Sequence, residues 1–216
     1  MAQVSAFTGL RAERVRENLE RVRERIAAAG RDPAEVEVCA ATKYVPADEL
    51  PVLAEAGIGL LGENRAQDLR AKQKGHRELF DWDFIGALQS RKVKEIAPRV
   101  RLIHSVASES ALRQLERHPA PEVLIQVNVA GEEGKVGIAA AELGAFISRV
   151  PVPVGGLMTM PPLVERPEAN RVHFARLAEL AAEHGLRRLS MGTTQDYEVA
   201  VAEGATIVRL GTVLYS

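Results

Sequence analysis

Short apolar runs alternate with helical segments eight times along this chain, and that alternation restricts the fold more than any other feature. The runs are VEVCAATK (36–43), IGLLGE (58–63), WDFIGAL (82–88), VRLIHSV (100–106), EVLIQVNV (122–129), VPVGGLMTM (152–160), RRLSMG (187–192) and TIVRLGTVLY (206–215). Segments of helical character, from ADELPVLAEAG to TQDYEVAVAEG, lie between them. Strict β/α order implies a parallel sheet. Eight units point to a closed (β/α)8 TIM-type barrel rather than an open doubly wound sheet. A further helix is expected in front, because Leu10, Val15, Leu19, Val22 and Ile26 share one face. Gly30 and the Asp32-Pro33 pair should end it. Ser90, Ser108 and Thr194 are placed to cap later helices. No low-complexity linker divides the chain, so one domain is expected over 1–216, with a helical segment at about 5–30 and the barrel at about 35–216.

Composition narrows the function classes. A net charge of -1 argues against a strong grip on nucleic acid or an acidic membrane. The arginines of the first helix are interleaved with glutamates, which reads as a solvated face. Cys39 is the single cysteine, so no disulfide can form within the chain and a thiolate metal cluster is disfavoured. The start MAQVSAFTGLRAERV lacks the pattern of a signal peptide, and no stretch of about 18 apolar residues escapes a charge. A cytoplasmic protein is the expectation.

In this barrel class functional groups gather at the C-terminal ends of strands. Those ends hold Thr42-Lys43, Gly62-Glu63-Asn64, Ser190-Met191-Gly192-Thr193-Thr194 and Arg209-Leu210-Gly211-Thr212. Alternation puts Cys39, Ala41 and Lys43 on the inner face of the first strand, and Ile207, Arg209 and Gly211 on that of the eighth. A lysine and an arginine from neighbouring strands then enter one mouth. Two cations repel each other, and an anionic ligand between them resolves the conflict. Gly192 and Gly211 would let backbone N–H groups approach a phosphate, with the Ser190 and Thr212 hydroxyls as further donors.

Taken together, AATKYVP, LGENRAQDL, WDFIGALQSRKVK, VNVAGEEGKVGI, GLMTMPP, LSMGTTQDYEVAVAEGAT and VRLGTVLY resemble the pyridoxal-phosphate homeostasis protein family. That family is related to the N-terminal barrel of alanine racemase. The resemblance implies pyridoxal 5'-phosphate (PLP) as cofactor, with Lys43 forming the Schiff base and Arg209 facing the pyridine nitrogen. It implies that Ser190, Gly192, Gly211 and Thr212 line the phosphate, with Asn64 near the ring and Met158 against its face. The chain departs from the family at Thr193, at Arg91 where an asparagine is usual, and in stopping at Ser216.

An arginine opposite the ring nitrogen disfavours a carbanion delocalised into the ring, whereas a carboxylate would promote one. The related racemases also use a tyrosine as a second acid–base group. Of Tyr44, Tyr197 and Tyr215 none matches that role, and Tyr44 is expected to point away from Lys43. The expectation is therefore a vitamin B6 homeostasis protein that stores, buffers or delivers PLP, with apo PLP-dependent enzymes as recipients and no catalytic turnover. The runner-up is an amino-acid racemase or related PLP enzyme. A third reading, an interaction module built on the arginine-rich helix, predicts salt-sensitive binding to an acidic partner. A monomer is expected, with weak dimerisation allowed.

The loop Gly131–Gly137 fails the spacing of a nucleotide phosphate loop, and no GxGxxG follows the first strand. His76, His104, His118, His173 and His184 form no metal-ligand pairing, though His104 could line the mouth. Trp82, Phe84 and Ile85 read as barrel packing.

Overall fold

The structure, a computed structural model, describes residues 6–216. Eight parallel strands close into a barrel in chain order: β1 (Glu37–Ala41), β2 (Leu60–Glu63), β3 (Asp81–Phe84), β4 (Leu102–Val106), β5 (Val123–Gln126), β6 (Val154–Met158), β7 (Arg188–Thr193) and β8 (Ile207–Leu210). The seam is the β1–β8 pair, where Cys39 lies opposite Arg209 and Ala40 opposite Leu210. The helices are α1 (Ala12–Ala28), α2 (Leu50–Glu55), α3 (Ala66–Gln73), α4 (Val93–Ile96), α5 (Glu109–Arg117), α6 (Leu143–Ile147), α7 (Arg171–Glu183), α8 (Tyr197–Ala202) and α9 (Thr212–Tyr215). This is the expected (β/α)8 barrel with a leading helix. The expected helical segment of about 5–30 begins one residue outside the described range, and within that range α1 starts at Ala12.

Alternation along the strands separates two cores. Cys39, Leu60, Leu102, Leu124, Met158 and Ile207 fill the barrel interior. Ala40, Leu61, Val208 and Leu210 belong to the larger shell between strands and helices, as the alternating pattern of β1 and β8 requires. Trp82 and Phe84 join the shell, and Ile85 packs on the interior layer. Gly62 is dictated by this packing: a Cβ there would lie 2.7 Å from Cys39 Sγ and 2.8 Å from Ile85 Cδ1.

A charged layer closes the N-terminal end of the barrel. Arg101 donates to Glu37 at 2.5 Å and to both oxygens of Asp83 at 3.1 and 3.0 Å. Arg188 joins Glu37 and Glu122, each at 3.0 Å.

Helix α1 buries Val15, Leu19, Val22 and Ile26 against the shell, each contributing about 1.5–3 kcal/mol. Its Asn18 amide donates to the carbonyls of Leu214 and Ser216 at 3.0 and 2.9 Å, tying α1 to α9. Its outer arginines pair with glutamates, Arg23 with Glu20 at 2.6 Å and Arg25 with Glu198 at 2.8 Å. Of the three expected caps, Ser108 accepts from the Ala111 N–H at 3.2 Å. Ser90 falls inside a 3-10 turn without a capping bond, and the Thr194 hydroxyl instead accepts from the Gly211 N–H at 3.2 Å. Among the described residues no helix is long and apolar enough to cross a membrane.

Candidate functional site

Strand β1 ends at Ala41, and the chain turns over the next residues. Two lysines meet at this turn and take different roles. Lys72, on α3, reaches in to donate to the Thr42 carbonyl and to the wholly buried Glu63 carboxylate, both at 2.5 Å. That buried pair fixes the end of β1 to the end of β2. Lys43 is left exposed at the mouth. Its ammonium lies 4.6 Å from the centre of the Tyr44 ring, with no ion pair among the described residues. The expectation for Tyr44 is corrected here: the turn replaces the strand, alternation no longer applies, and the ring lies alongside Lys43.

Arg209 enters from β8 and is buried. Its Nη1 donates to Ser190 Oγ at 2.5 Å, and its Nη2 to the Thr159 carbonyl at 2.9 Å and Met160 Sδ at 2.8 Å. Burial lowers its pKa to about 10, with the nearby Asp196 carboxylate opposing the shift, so it stays cationic at neutral pH. Among the described residues no carboxylate lies within ion-pair distance of this guanidinium.

Lys43, Asn64, Arg209, Gly211 and Thr212 line one cavity of about 290 Å³ at the C-terminal mouth, near the lower end of the range for small-molecule sites. Phe7, Ala41, Tyr44, Ile85, Met160, Thr193 and Thr194 complete the wall. Among the described residues no carboxylate lines it. The Asn64 side-chain oxygen is buried without a partner. Thr212 opens α9 directly after Gly211.

The three other residues expected at the site lie outside this lining. Met158 belongs to the interior layer, while Met160, two residues on and past the end of β6, reaches the cavity. Ser190 is fully buried between Arg209 and His104. Gly192 has φ +90, and a Cβ there would lie 2.7 Å from Ala200 Cβ and 2.8 Å from Tyr197 Cα, so it lets α8 approach β7. The register between β7 and β8 shifts by one residue between Ser190 and Thr193, which is how Thr193 and Thr194 come to the wall. Nor does His104 line the mouth; it is fully buried inside the barrel.

The sequence model of the alanine racemase N-terminal domain family matches residues 10–216. A pyridoxal phosphate homeostasis protein of Aquifex aeolicus is 40% identical, the match covering 94% of this chain and 96% of that one. Another, of Pseudomonas aeruginosa, is 41% identical over 94% of each. The chain belongs to the pyridoxal phosphate homeostasis protein family. Two solved structures of PipY from Synechococcus elongatus, both 31% identical, match 94% of this chain and 100% of theirs. The one without PLP superposes with a TM-score of 0.84, and the one with PLP bound with 0.79. The names of these relatives describe homeostasis in this family rather than a catalysed reaction.

Proposed function

We propose that this protein holds PLP at the barrel mouth through Lys43 and buffers or delivers it to apo PLP-dependent enzymes, without catalytic turnover. One observation carries the reading: an unpaired lysine and a buried arginine line a cavity with no carboxylate in its wall. That donor set suits PLP. When bound, the cofactor supplies an aldehyde that condenses with a primary amine and releases water.

Each residue has a part in this reading. Lys72 and Glu63 fix the turn, so Lys43 presents its amine at the cavity edge. Arg209 offers N–H donors to a neutral ring nitrogen and keeps its own protons at neutral pH. The hydroxyls of Thr194 and Thr212, with the backbone after Gly211, suit a phosphate, while that of Thr193 is donated to Asp196 at 3.0 Å. Ser190 and Gly192, one layer below and behind this wall, support it through Arg209 and α8, and Met158 belongs to the interior layer. Asn64 borders the ring's place.

Borohydride reduction of the PLP-loaded protein followed by peptide mass mapping tests this directly. A single pyridoxyl adduct on Lys43 is expected, and an adduct on another lysine instead would overturn the assignment. A second reading, an amino-acid racemase or related enzyme, gains from one observation: Tyr44 lines the same cavity beside Lys43. Sustained deuterium exchange at the α-carbon of added amino acids, lost in Tyr44→Phe, would favour that reading over the carrier.

A further inference from the structure

Four strands, two consecutive pairs from opposite halves of the chain, send one polar side chain each into the barrel interior, where they join into an unbroken chain. Arg209 Nη1 meets Ser190 Oγ at 2.5 Å, Ser190 Oγ meets His104 Nδ1 at 2.8 Å, and His104 Nε2 meets Asp83 Oδ2 at 3.1 Å. All four are buried. The cavity does not touch His104 or Asp83, and nothing in the cofactor reading uses them.

The chemistry of the donors allows one arrangement of protons to satisfy every partner. A guanidinium only donates, so Ser190 Oγ accepts from Arg209. The serine proton then goes to Nδ1, which must be bare. The remaining proton of a neutral His104 sits on Nε2 and is donated to Asp83. Asp83 in turn is held by Arg101 through both oxygens. A second proton on the imidazole would make Nδ1 a donor, leave the serine hydroxyl without its acceptor, and bring a third cation near Arg209 and Arg101. Burial, the largest influence, already lowers the His104 pKa, with Asp83 opposing it.

We propose that His104, oriented by Asp83, is a positioning residue. Through Ser190 it fixes the rotation of the Arg209 guanidinium, so that the N–H groups not engaged inside the barrel face the cavity. Arg209 needs such a device, because among the described residues no carboxylate clamps it and its other acceptors are a carbonyl and a thioether. A bare serine hydroxyl can rotate and stop accepting; one whose proton is committed to Nδ1 cannot. The chain also polarises itself in one direction, which strengthens Ser190 as an acceptor. This inference rests on the PLP reading for its consequence, though not for its geometry.

Two measurements separate those parts. Long-range 1H–15N spectra of the PLP-free protein should show His104 as a neutral imidazole with Nε2 protonated between about pH 6 and 8. A Nδ1-protonated tautomer or an imidazolium there would overturn the proposal whether or not PLP binds. Titration with PLP, followed by visible absorbance, should show His104→Leu binding about tenfold more weakly than the parent, with a shifted absorbance band and borohydride labelling still on Lys43. His104→Gln, whose amide can accept from Ser190 and donate to Asp83, should recover most of the affinity. Folded His104→Leu with unchanged affinity and band would overturn the positioning role. If His104→Leu does not fold, Asp83→Asn decides: its amide N–H should push the proton to Nδ1, and an unmoved tautomer would overturn Asp83 as the orienting group. A parent protein that binds no PLP but shows the Nε2 tautomer would refute the cofactor reading and leave the proton arrangement standing.

Discussion

At the N-terminal end of the barrel, Arg101 and Arg188 divide the carboxylates of Glu37, Asp83 and Glu122 between them. At the C-terminal end, Lys43 and Arg209 meet no carboxylate in the cavity they share. Both ends gather charge from strands distant in sequence. One end satisfies its charges internally, and such a network serves the fold. The other leaves two cations on one cavity wall, which the proposed anionic cofactor would complete. The contrast repeats at a finer scale in the β1 turn, where Lys72 is consumed by Glu63 and Lys43 is not.

Removing the amine that the proposed function makes the cofactor's anchor should give the largest effect. Lys43→Ala should abolish borohydride-trapped cofactor altogether, while its urea midpoint stays within about 0.5 kcal/mol of the parent because nothing in the fold leans on this side chain. Retained label at the same site, or a large loss of stability, would erase the distinction between the ends. Next in size is Arg101→Ala. It strands Asp83 in the interior and leaves Glu37 short of a partner, and should cost about 3 kcal/mol by chemical denaturation, the half-exposed side of Arg101 being discounted. A loss below about 1 kcal/mol would show the floor to be as loosely coupled as a surface ion pair.

Acid sharpens the comparison further. Burial holds the His104 pKa below its ordinary range, so the unfolded chain binds the proton more readily. Stability should therefore fall as pH drops below about 6.5, by up to about 1.4 kcal/mol for each pH unit above the folded pKa. Asp83 acts lower on the scale: burial raises its pKa, but His104 and Arg101 outweigh that and hold it down. Its stabilisation is present above about pH 4 and is lost as pH falls through the folded pKa. Urea midpoints between pH 5 and 7 should show a slope that His104→Gln flattens; an equal slope in both proteins would refute a buried neutral imidazole. Smallest of all is Arg91→Asn. Arg91 is exposed and among the described residues its side chain bonds only to that of Gln89, at 3.2 and 3.3 Å, so stability should move by less than about 0.5 kcal/mol in a thermal melt.

Period-two and helical patterns carried the barrel because they are local. The inner face of β1 and β8 was equally legible, since Cys39, Ile207 and Arg209 lie within regular strands. Depth within the barrel was not. Alternation says which face Met158 occupies and not that Met160 is the one level with the cavity. It also cannot anticipate the one-residue slip in β7 that brings Thr193 forward. Tyr44 was misplaced because the strand rule was carried past Ala41 into a turn. The interior chain of Asp83, His104 and Ser190 left no mark in the sequence: the Asp83–His104 pair depends on how β3 sits against β4, and Ser190 on β7 meets His104 only across the formed barrel.

The β1–β8 seam has a consequence for how the site comes into being. Cys39 and Arg209 are opposite partners across it, yet most of the polypeptide lies between them. A growing chain emerging from the ribosome would expose the Lys43 amine early and lack its guanidinium neighbour until β8 had been made. Because contacts of such long loop are late and entropically costly to form, tight capture of a ligand at this mouth reports that the ring has shut.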